Sequence, residues 1–178
     1  MQYMTLVCRF TAGLVFLVAL LGKVRSRRAF REFAGSVREM TTLAPPWDAA
    51  ASAGVVLAEA SIVALLTAGQ TAPVGFTLAG AVLLGFSGAI ARAVRAGSHT
   101  DCRCFGAASA PLSGRHLLRN AGLLAIATAG LSSELLRPAG GTSLAGDAIA
   151  LPCAGVVALL IIYFDDLADL LTAPPRNY

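Results

Sequence analysis

Three long apolar segments constrain the fold of this chain more than any other feature. Residues 3–22 contain one charged side chain, Arg9; residues 49–68 contain one, Glu59; and residues 73–91 contain none. A helix needs about 20 mostly apolar residues to cross the hydrocarbon core of a bilayer, and each segment is long enough. Only 13% of the 178 residues are charged, whereas soluble domains carry about a quarter. The chain is therefore predicted to be an integral membrane protein.

Two further segments complete the predicted bundle. Residues 115–133 form a fourth span, and residues 151–171 form a fifth that places Asp165, Asp166 and Asp169 at the interface. The connection at residues 69–72 is short enough to make the second and third spans an antiparallel hairpin. The sequence thus predicts an all-α polytopic membrane bundle, with four core transmembrane helices and a fifth C-terminal helix, in a single domain over residues 1–178.

One segment between the first two spans has a different pattern. In residues 26–40, Phe30, Phe33, Val37 and Met40 recur at spacings of three and four, with arginines between them. That spacing places the apolar side chains on one face of a helix. The segment is predicted to be an amphipathic helix lying at the membrane interface. The alternative is an ordinary connector on the cytoplasmic side.

Basic residues are distributed unevenly between the two ends of the predicted bundle. Lysine and arginine next to membrane spans are retained in the cytoplasm. One end has little beyond Arg137, whereas the other has eleven basic residues: Lys23, Arg25, Arg27, Arg28, Arg31, Arg38, Arg92, Arg95, Arg103, Arg115 and Arg119. The bias predicts a multi-pass protein with the N-terminus outside and the loop after the third span in the cytoplasm. Arginine outnumbers lysine thirteen to one, which indicates a GC-rich bacterial genome and hence the bacterial inner (plasma) membrane. Because the basic residues lie beside apolar segments, the predicted partner is the lipid bilayer and not nucleic acid.

That loop contains the most reactive pattern in the chain, Cys102-Arg103-Cys104-Phe105-Gly106. The thiolate is the reactive form of cysteine, and nearby positive charge favours it. A disulfide between residues two apart is strained, and strained disulfides are readily reduced and tend to be catalytic or regulatory. We therefore predict that Cys102 and Cys104 are catalytic thiols, supported by Arg103, Phe105 and Gly106. The alternative is two unpaired cysteines in a connector.

A metal site is the third interpretation of the same loop. Zinc accepts two sulfurs and two nitrogens, which Cys102, Cys104, His99 and His116 would offer. Their spacing matches no common zinc pattern, so no metal is predicted. The remaining thiols, Cys8 and Cys153, fall near the outer ends of their helices. They are either inert buried thiols or a second thiol pair on the opposite membrane face.

Polar residues inside the spans form the other candidate site. Glu59 lies about 15 Å from either end of its span, where an ionisable group is costly and often functional. The first two spans are expected to be antiparallel neighbours, so Arg9 is predicted to reach toward Glu59. Arg119 and Asn120 approach from the cytoplasmic end of the fourth helix. Two interpretations stay open: a structural ion-pair network, or a proton or quinone site.

The chain resembles the MauE family, within the wider DoxX-like group of small membrane proteins. The resemblance covers roughly residues 3–135, and its most specific element is the Cys-x-Cys-Phe-Gly motif. The other matching residues are Arg9, Phe10, Gly13, Lys23, Phe30, Phe33, Glu59, Arg119 and Asn120. The resemblance implies a role in methylamine utilisation, with a thioredoxin-like (MauD-like) partner. The implied substrate is an exported disulfide-containing protein, the small subunit of methylamine dehydrogenase.

Three functions follow from the residues and the resemblance together. The first is a thiol–disulfide oxidoreductase that assists maturation of the exported protein. The second is a non-catalytic assembly or transport factor. The third is a quinone-linked subunit of the DoxX type, with quinone as cofactor near Arg9 and Glu59. The resemblance implies partners on the outer side of the membrane, whereas the charge bias places the thiol loop on the cytoplasmic side. Either the orientation is reversed or electrons cross the membrane, with Cys8 and Cys153 as the outer pair.

Overall fold

A computed structural model describes residues 2–41, 44–95, 101–102, 110–111, 114–136, 144–165 and 167 of the chain. Most of these residues form α-helices; the other elements are one 3-10 turn, Gly69–Thr71, and two short strands that pair with each other, β1 and β2. In chain order the elements are α1 (Gln2–Val24), α2 (Arg27–Thr41), α3 (Trp47–Thr67), α4 (Ala72–Arg95), β1 (Asp101–Cys102), β2 (Ala110–Pro111), α5 (Gly114–Leu135) and α6 (Leu144–Ile162). The predicted all-helical membrane bundle is confirmed.

Three helical segments are long and apolar enough to cross a bilayer. They are Tyr3–Val24, Trp47–Thr67 and Gly69–Arg95, and they coincide with the first three predicted spans. A shorter apolar stretch, Ala148–Ile162, lies in α6. Helix α5 carries charged side chains in its first turns and does not belong to this group. That α5 and α6 also cross the membrane stays a prediction.

Helix α1 lies at the centre of the bundle, packed against α3, α5 and α6. Its buried face is formed by apolar side chains, among them Ala12, Val15 and Phe16. Polar contacts fix its neighbours: the Thr5 hydroxyl donates to the Ser133 hydroxyl of α5 at 2.9 Å, and the Thr11 hydroxyl donates to the Ala154 carbonyl of α6 at 3.3 Å. The central position of α1 brings its side chains close to several other helices.

Helices α4 and α5 pack against each other unusually closely at one point. A β-carbon placed on Gly130 of α5 would overlap the aromatic ring of Phe76 on α4. Phe76 is buried to 1% of its exposed area, so the ring has little room to move away. Glycine is therefore required at residue 130 by contact with its neighbour.

Helix α2 confirms the predicted amphipathic pattern. Phe33, Val37 and Met40 are buried, whereas the arginines on its other face are exposed. The packed face contacts α1, α3 and α4. Arg38 forms an ion pair with Asp48 in the first turn of α3, with Nη2 2.8 Å from Oδ2. Helix α2 is thus attached to the bundle by an apolar face and by a charge contact; its place at the membrane interface stays a prediction.

Candidate functional site

A buried ion pair between Lys23 and Glu59 links the end of α1 to the middle of α3. The Lys23 ammonium lies 2.7 Å from Oε1 and 3.0 Å from Oε2 of Glu59. Only 1% and 3% of the two side chains are exposed. The ammonium also donates to the Ala19 carbonyl at 3.3 Å and lies 5.0 Å from the centre of the Phe33 ring on α2. One lysine therefore joins three helices.

The predicted contact between Arg9 and Glu59 is wrong. The Arg9 guanidinium instead donates to the carbonyl of Thr67 at 3.3 Å, in an exposed position. Helices α1 and α3 are antiparallel, so Arg9 faces the end of α3. Glu59 lies eight residues earlier, about 12 Å away along the axis. Arg9 therefore caps the C-terminal end of α3, and the Glu59 carboxylate pairs with another residue.

The sequence pattern predicts Lys23 only as an interfacial charge and does not indicate its contact with Glu59. The signal that could have found it is that the chain contains thirteen arginines but only this lysine. The lysine stem is long, flexible and apolar, so its charge can reach into the membrane from a helix end. From the last turn of α1 the stem extends back toward the bundle interior and meets Glu59.

A second charged cluster lies where α5 begins and α6 ends. Arg119 Nη1 lies 2.7 Å from Oδ2 of Asp165, and His116 Nδ1 lies 3.3 Å from the same oxygen. His116 and Arg119 are three residues apart and so share a face of α5. Both are buried, and the side chain of Asp165 is 21% exposed. Asp165, predicted only as an interfacial residue, is thus the partner of two buried side chains.

Between these two clusters is a small cavity of about 30 Å³. Its polar lining consists of Glu59, Arg119 and Asn120, and its other walls are apolar. The Asn120 amide also donates to the hydroxyl of Ser87 on α4 at 3.4 Å. The structure thus brings together three of the four predicted intramembrane polar residues, and excludes Arg9. Their functional role stays a prediction.

A much larger apolar groove of about 350 Å³ lies among α2, α3 and α4. Among the described residues that line it are Met40, Val55 and Phe86, and neither Arg9 nor Glu59 is one of them. Small-molecule pockets usually measure about 300–1,000 Å³, so the groove has that size and the cavity beside Glu59 does not. Phe86 lines both spaces and separates them. Quinone binding close to Arg9 and Glu59 stays a prediction.

The predicted thiol site lies mostly outside the described residues. Cys102 belongs to β1, which pairs antiparallel with β2 so that Cys102 is opposite Ala110. Arg103, Cys104, Phe105, Gly106 and His99 lie outside the described part of the chain. The two strands come between α4 and α5, at the end of the bundle where His116 and Arg119 lie. The catalytic role of Cys102 and Cys104 stays a prediction.

The other two cysteines are free thiols in this structure. Cys8 is buried in α1, and Cys153 is exposed on the neighbouring helix α6. A second thiol pair formed by these residues stays a prediction. Within the described ranges, His, Cys, Asp and Glu side chains form no group of three that could hold a metal ion.

Comparison with known proteins identifies the family. A model of methylamine utilisation protein MauE matches residues 1–133 of the 178. No curated protein and no solved structure matches the chain. The matched region contains Lys23, Glu59, Asn120 and both cysteines of the thiol loop, whereas Asp165 lies beyond it. Because the match covers well over half of the chain, the protein belongs to the MauE family of methylamine utilisation proteins.

Proposed function

We propose that this protein is a membrane thiol–disulfide exchange factor that serves methylamine utilisation. Family membership supports the involvement in methylamine utilisation. The exchange chemistry is assigned to Cys102 and Cys104, and the apolar helices hold the reactive segment at the membrane. The physiological partner is a thioredoxin-like (MauD-like) protein, and the final substrate is an exported protein with disulfides, such as the small subunit of methylamine dehydrogenase.

The observation that carries this proposal is the pairing of β1 with β2. The pairing places Cys102 opposite Ala110, between α4 and α5. Cys102, with Cys104 two residues later in the sequence, is proposed to meet the active site of a soluble partner at this end of the bundle. The arginines around the loop favour the thiolate that exchange requires.

The exchange step is balanced without an additional reagent. A thiolate of one protein attacks a disulfide of the other and forms a mixed disulfide, with one thiolate as leaving group. The second thiol of the attacking pair then displaces the partner. The attacking protein loses two electrons and two protons to become the disulfide, and the partner gains them as two thiols. The same chemistry runs in either direction, according to the two reduction potentials.

Replacing one thiol of the loop by serine is expected to trap the partner. In the variant Cys104→Ser or Cys102→Ser, the mixed disulfide lacks the thiol that would resolve it. A covalent complex with the thioredoxin-like protein should therefore accumulate in one of the two variants, and maturation of the exported substrate should fall to the background level. The measurement is non-reducing gel electrophoresis of cells after acid quenching, with the complex identified by mass spectrometry.

Cys153→Ser is the matched control, because Cys153 is an exposed thiol outside the loop. It should form no trapped complex and should leave maturation unchanged. Full maturation in both loop variants would contradict the redox proposal. It would instead favour a non-catalytic assembly factor, a role that the fully buried Lys23–Glu59 pair supports as a purely structural element.

We propose further that the thiol loop faces the cytoplasm and the N-terminal end of α1 faces outward. The structure buries two of the eleven basic residues, Lys23 and Arg119, in ion pairs. The other nine still flank the loop end, against Arg137 and Arg9 at the opposite end, where Arg9 contacts the end of α3. The positive-inside tendency therefore still favours this orientation after the buried charges are removed from the count.

Thiol labelling from each side of intact cells is expected to separate the cysteines into two classes. A chain retaining only Cys153 should stay unlabelled by a membrane-impermeant maleimide, since Cys153 lies at the middle of α6 and within its apolar stretch Ala148–Ile162. A chain retaining only Cys102 and Cys104 should react only after the membrane is permeabilised. Labelling of the loop thiols in intact cells would reverse the orientation and place the exchange on the outer face.

A further inference from the structure

Two buried charged clusters approach each other from different sides of the bundle. One is the Lys23–Glu59 pair on α1 and α3. The other is Arg119 with Asp165, on α5 and after α6. The small cavity described above lies between them, with Glu59 on one wall and Arg119 and Asn120 on another. The polar side chains in its lining indicate that the cavity binds a guest molecule. An empty packing defect in an apolar core would be lined by apolar atoms.

We infer that this cavity is a binding site for a single water molecule that bridges Glu59 to Arg119 and Asn120. A cavity must offer at least about 10–15 Å³ to hold a water, and the guest needs two to four polar partners. The cavity measures about 30 Å³ and has three polar residues in its lining. It therefore has the room for one water molecule and the hydrogen-bonding groups to hold it.

The charges around the cavity favour a neutral guest over an ion. The Lys23 ammonium balances the Glu59 carboxylate, and the Arg119 guanidinium balances the Asp165 carboxylate. An added ion would lose its hydration without gaining an unbalanced partner, which is costly in an apolar interior. The remaining walls, which include Phe16, are apolar and exclude a larger polar ligand.

The bound water joins the two clusters into one hydrogen-bonded network. The network runs from His116 and Asp165, at the basic end of the bundle, to Lys23 and Glu59 in its interior. It connects α1 and α3 to α5 and the end of α6. This inference does not depend on the thiol chemistry proposed above.

Millisecond X-ray hydroxyl-radical footprinting of the purified protein tests the site, because ordered internal water produces radicals beside the residues that it contacts. Phe16 lines the cavity and Phe76 lies in the dry core; the two have the same intrinsic reactivity, and both are buried, at 6% and 1% exposure. Phe16 should be hydroxylated more than about tenfold faster, which exceeds the ratio of the exposed fractions, 6% against 1%, and requires a source of radicals inside the cavity. A ratio of rates no larger than that ratio of exposed fractions would overturn the inference.

A cavity-filling variant gives the second measurement. Ala19 lines the same cavity, and in Ala19→Val the added methyl groups occupy its volume. Hydroxylation of Phe16 should fall to the rate of Phe76 in this variant. Persistence of the fast rate at Phe16 in a folded Ala19→Val protein would show that its reactivity comes from outside the cavity, and would also overturn the inference. If Ala19→Val does not fold, the comparison of the two phenylalanines in the natural chain decides.

Discussion

Replacement of Lys23 by methionine will destabilise the folded bundle by about 3–5 kcal/mol, the usual cost of removing one partner from a buried ion pair. The Glu59 carboxylate, with 3% of its side chain exposed, would be left without its ammonium. It would then remain as a buried charge or take up a proton, and both outcomes cost free energy. The measurement is the free energy of unfolding of the purified protein in detergent, together with the amount of protein recovered from membranes.

Two comparisons make this prediction specific. Arg28→Met removes an exposed pair, in which Arg28 Nε lies 2.9 Å from Glu32 Oε1, and should cost about 0.5 kcal/mol or less. The double variant Lys23→Met/Glu59→Leu removes both charges and should recover most of the lost stability, since apolar replacement of a buried pair is often neutral. A cost for Lys23→Met no larger than that for Arg28→Met would contradict the role assigned to the pair.

Gly130→Ala will destabilise the contact between α4 and α5 by about 1–3 kcal/mol, the typical cost of forcing extra volume into a packed core. The added methyl group would overlap the ring of Phe76, which is buried and held by its neighbours. The loss should appear as a lower midpoint of thermal unfolding in detergent. Combining Gly130→Ala with Phe76→Leu should restore part of the stability, because the smaller side chain leaves room for the methyl group.

Gly122→Ala is the matched control for this prediction. It makes the same change on the same helix, at a position where an added β-carbon meets nothing within 4 Å. Since alanine is favoured over glycine inside a helix by about 0.5–1 kcal/mol, this variant should be neutral or slightly more stable. Equal destabilisation by Gly122→Ala and Gly130→Ala would show that helix flexibility, and not the contact with Phe76, determines the effect.

The sequence predicted the helices well because the signals for them are local. The apolar segments at residues 3–22, 49–68 and 73–91 differ from α1, α3 and α4 by a few residues at most at each end. The amphipathic segment at residues 26–40 differs from α2 by one residue at each end. Length and periodicity depend only on neighbouring residues, so they can be read without knowledge of the tertiary fold.

The ion pairs inside the bundle could not be predicted from local sequence patterns. Arg9 and Lys23 lie on the same helix, and the choice between them as partner of Glu59 depends on how far α3 is shifted along α1 and how each helix is rotated. Packing of all six helices fixes both quantities. The contact of Arg119 with Asp165 likewise requires α6 to lie beside the start of α5, which no local pattern indicates. The predicted thiol site lies largely outside the described residues, so its geometry stays a prediction.

The ring of Phe33 has a consequence for how the membrane surface influences the interior of the protein. Phe33 lies on the amphipathic helix α2, 5.0 Å from the Lys23 ammonium, and is itself 1% exposed. It therefore separates the Lys23 ammonium from the exposed face of α2. If α2 lies at the membrane interface as predicted, a change in lipid packing that lifts this helix would admit water to Lys23. The attraction between Lys23 and Glu59 would then weaken, because charges attract less strongly in a wetter environment, and the strength of the interior ion pair would depend on the state of the bilayer.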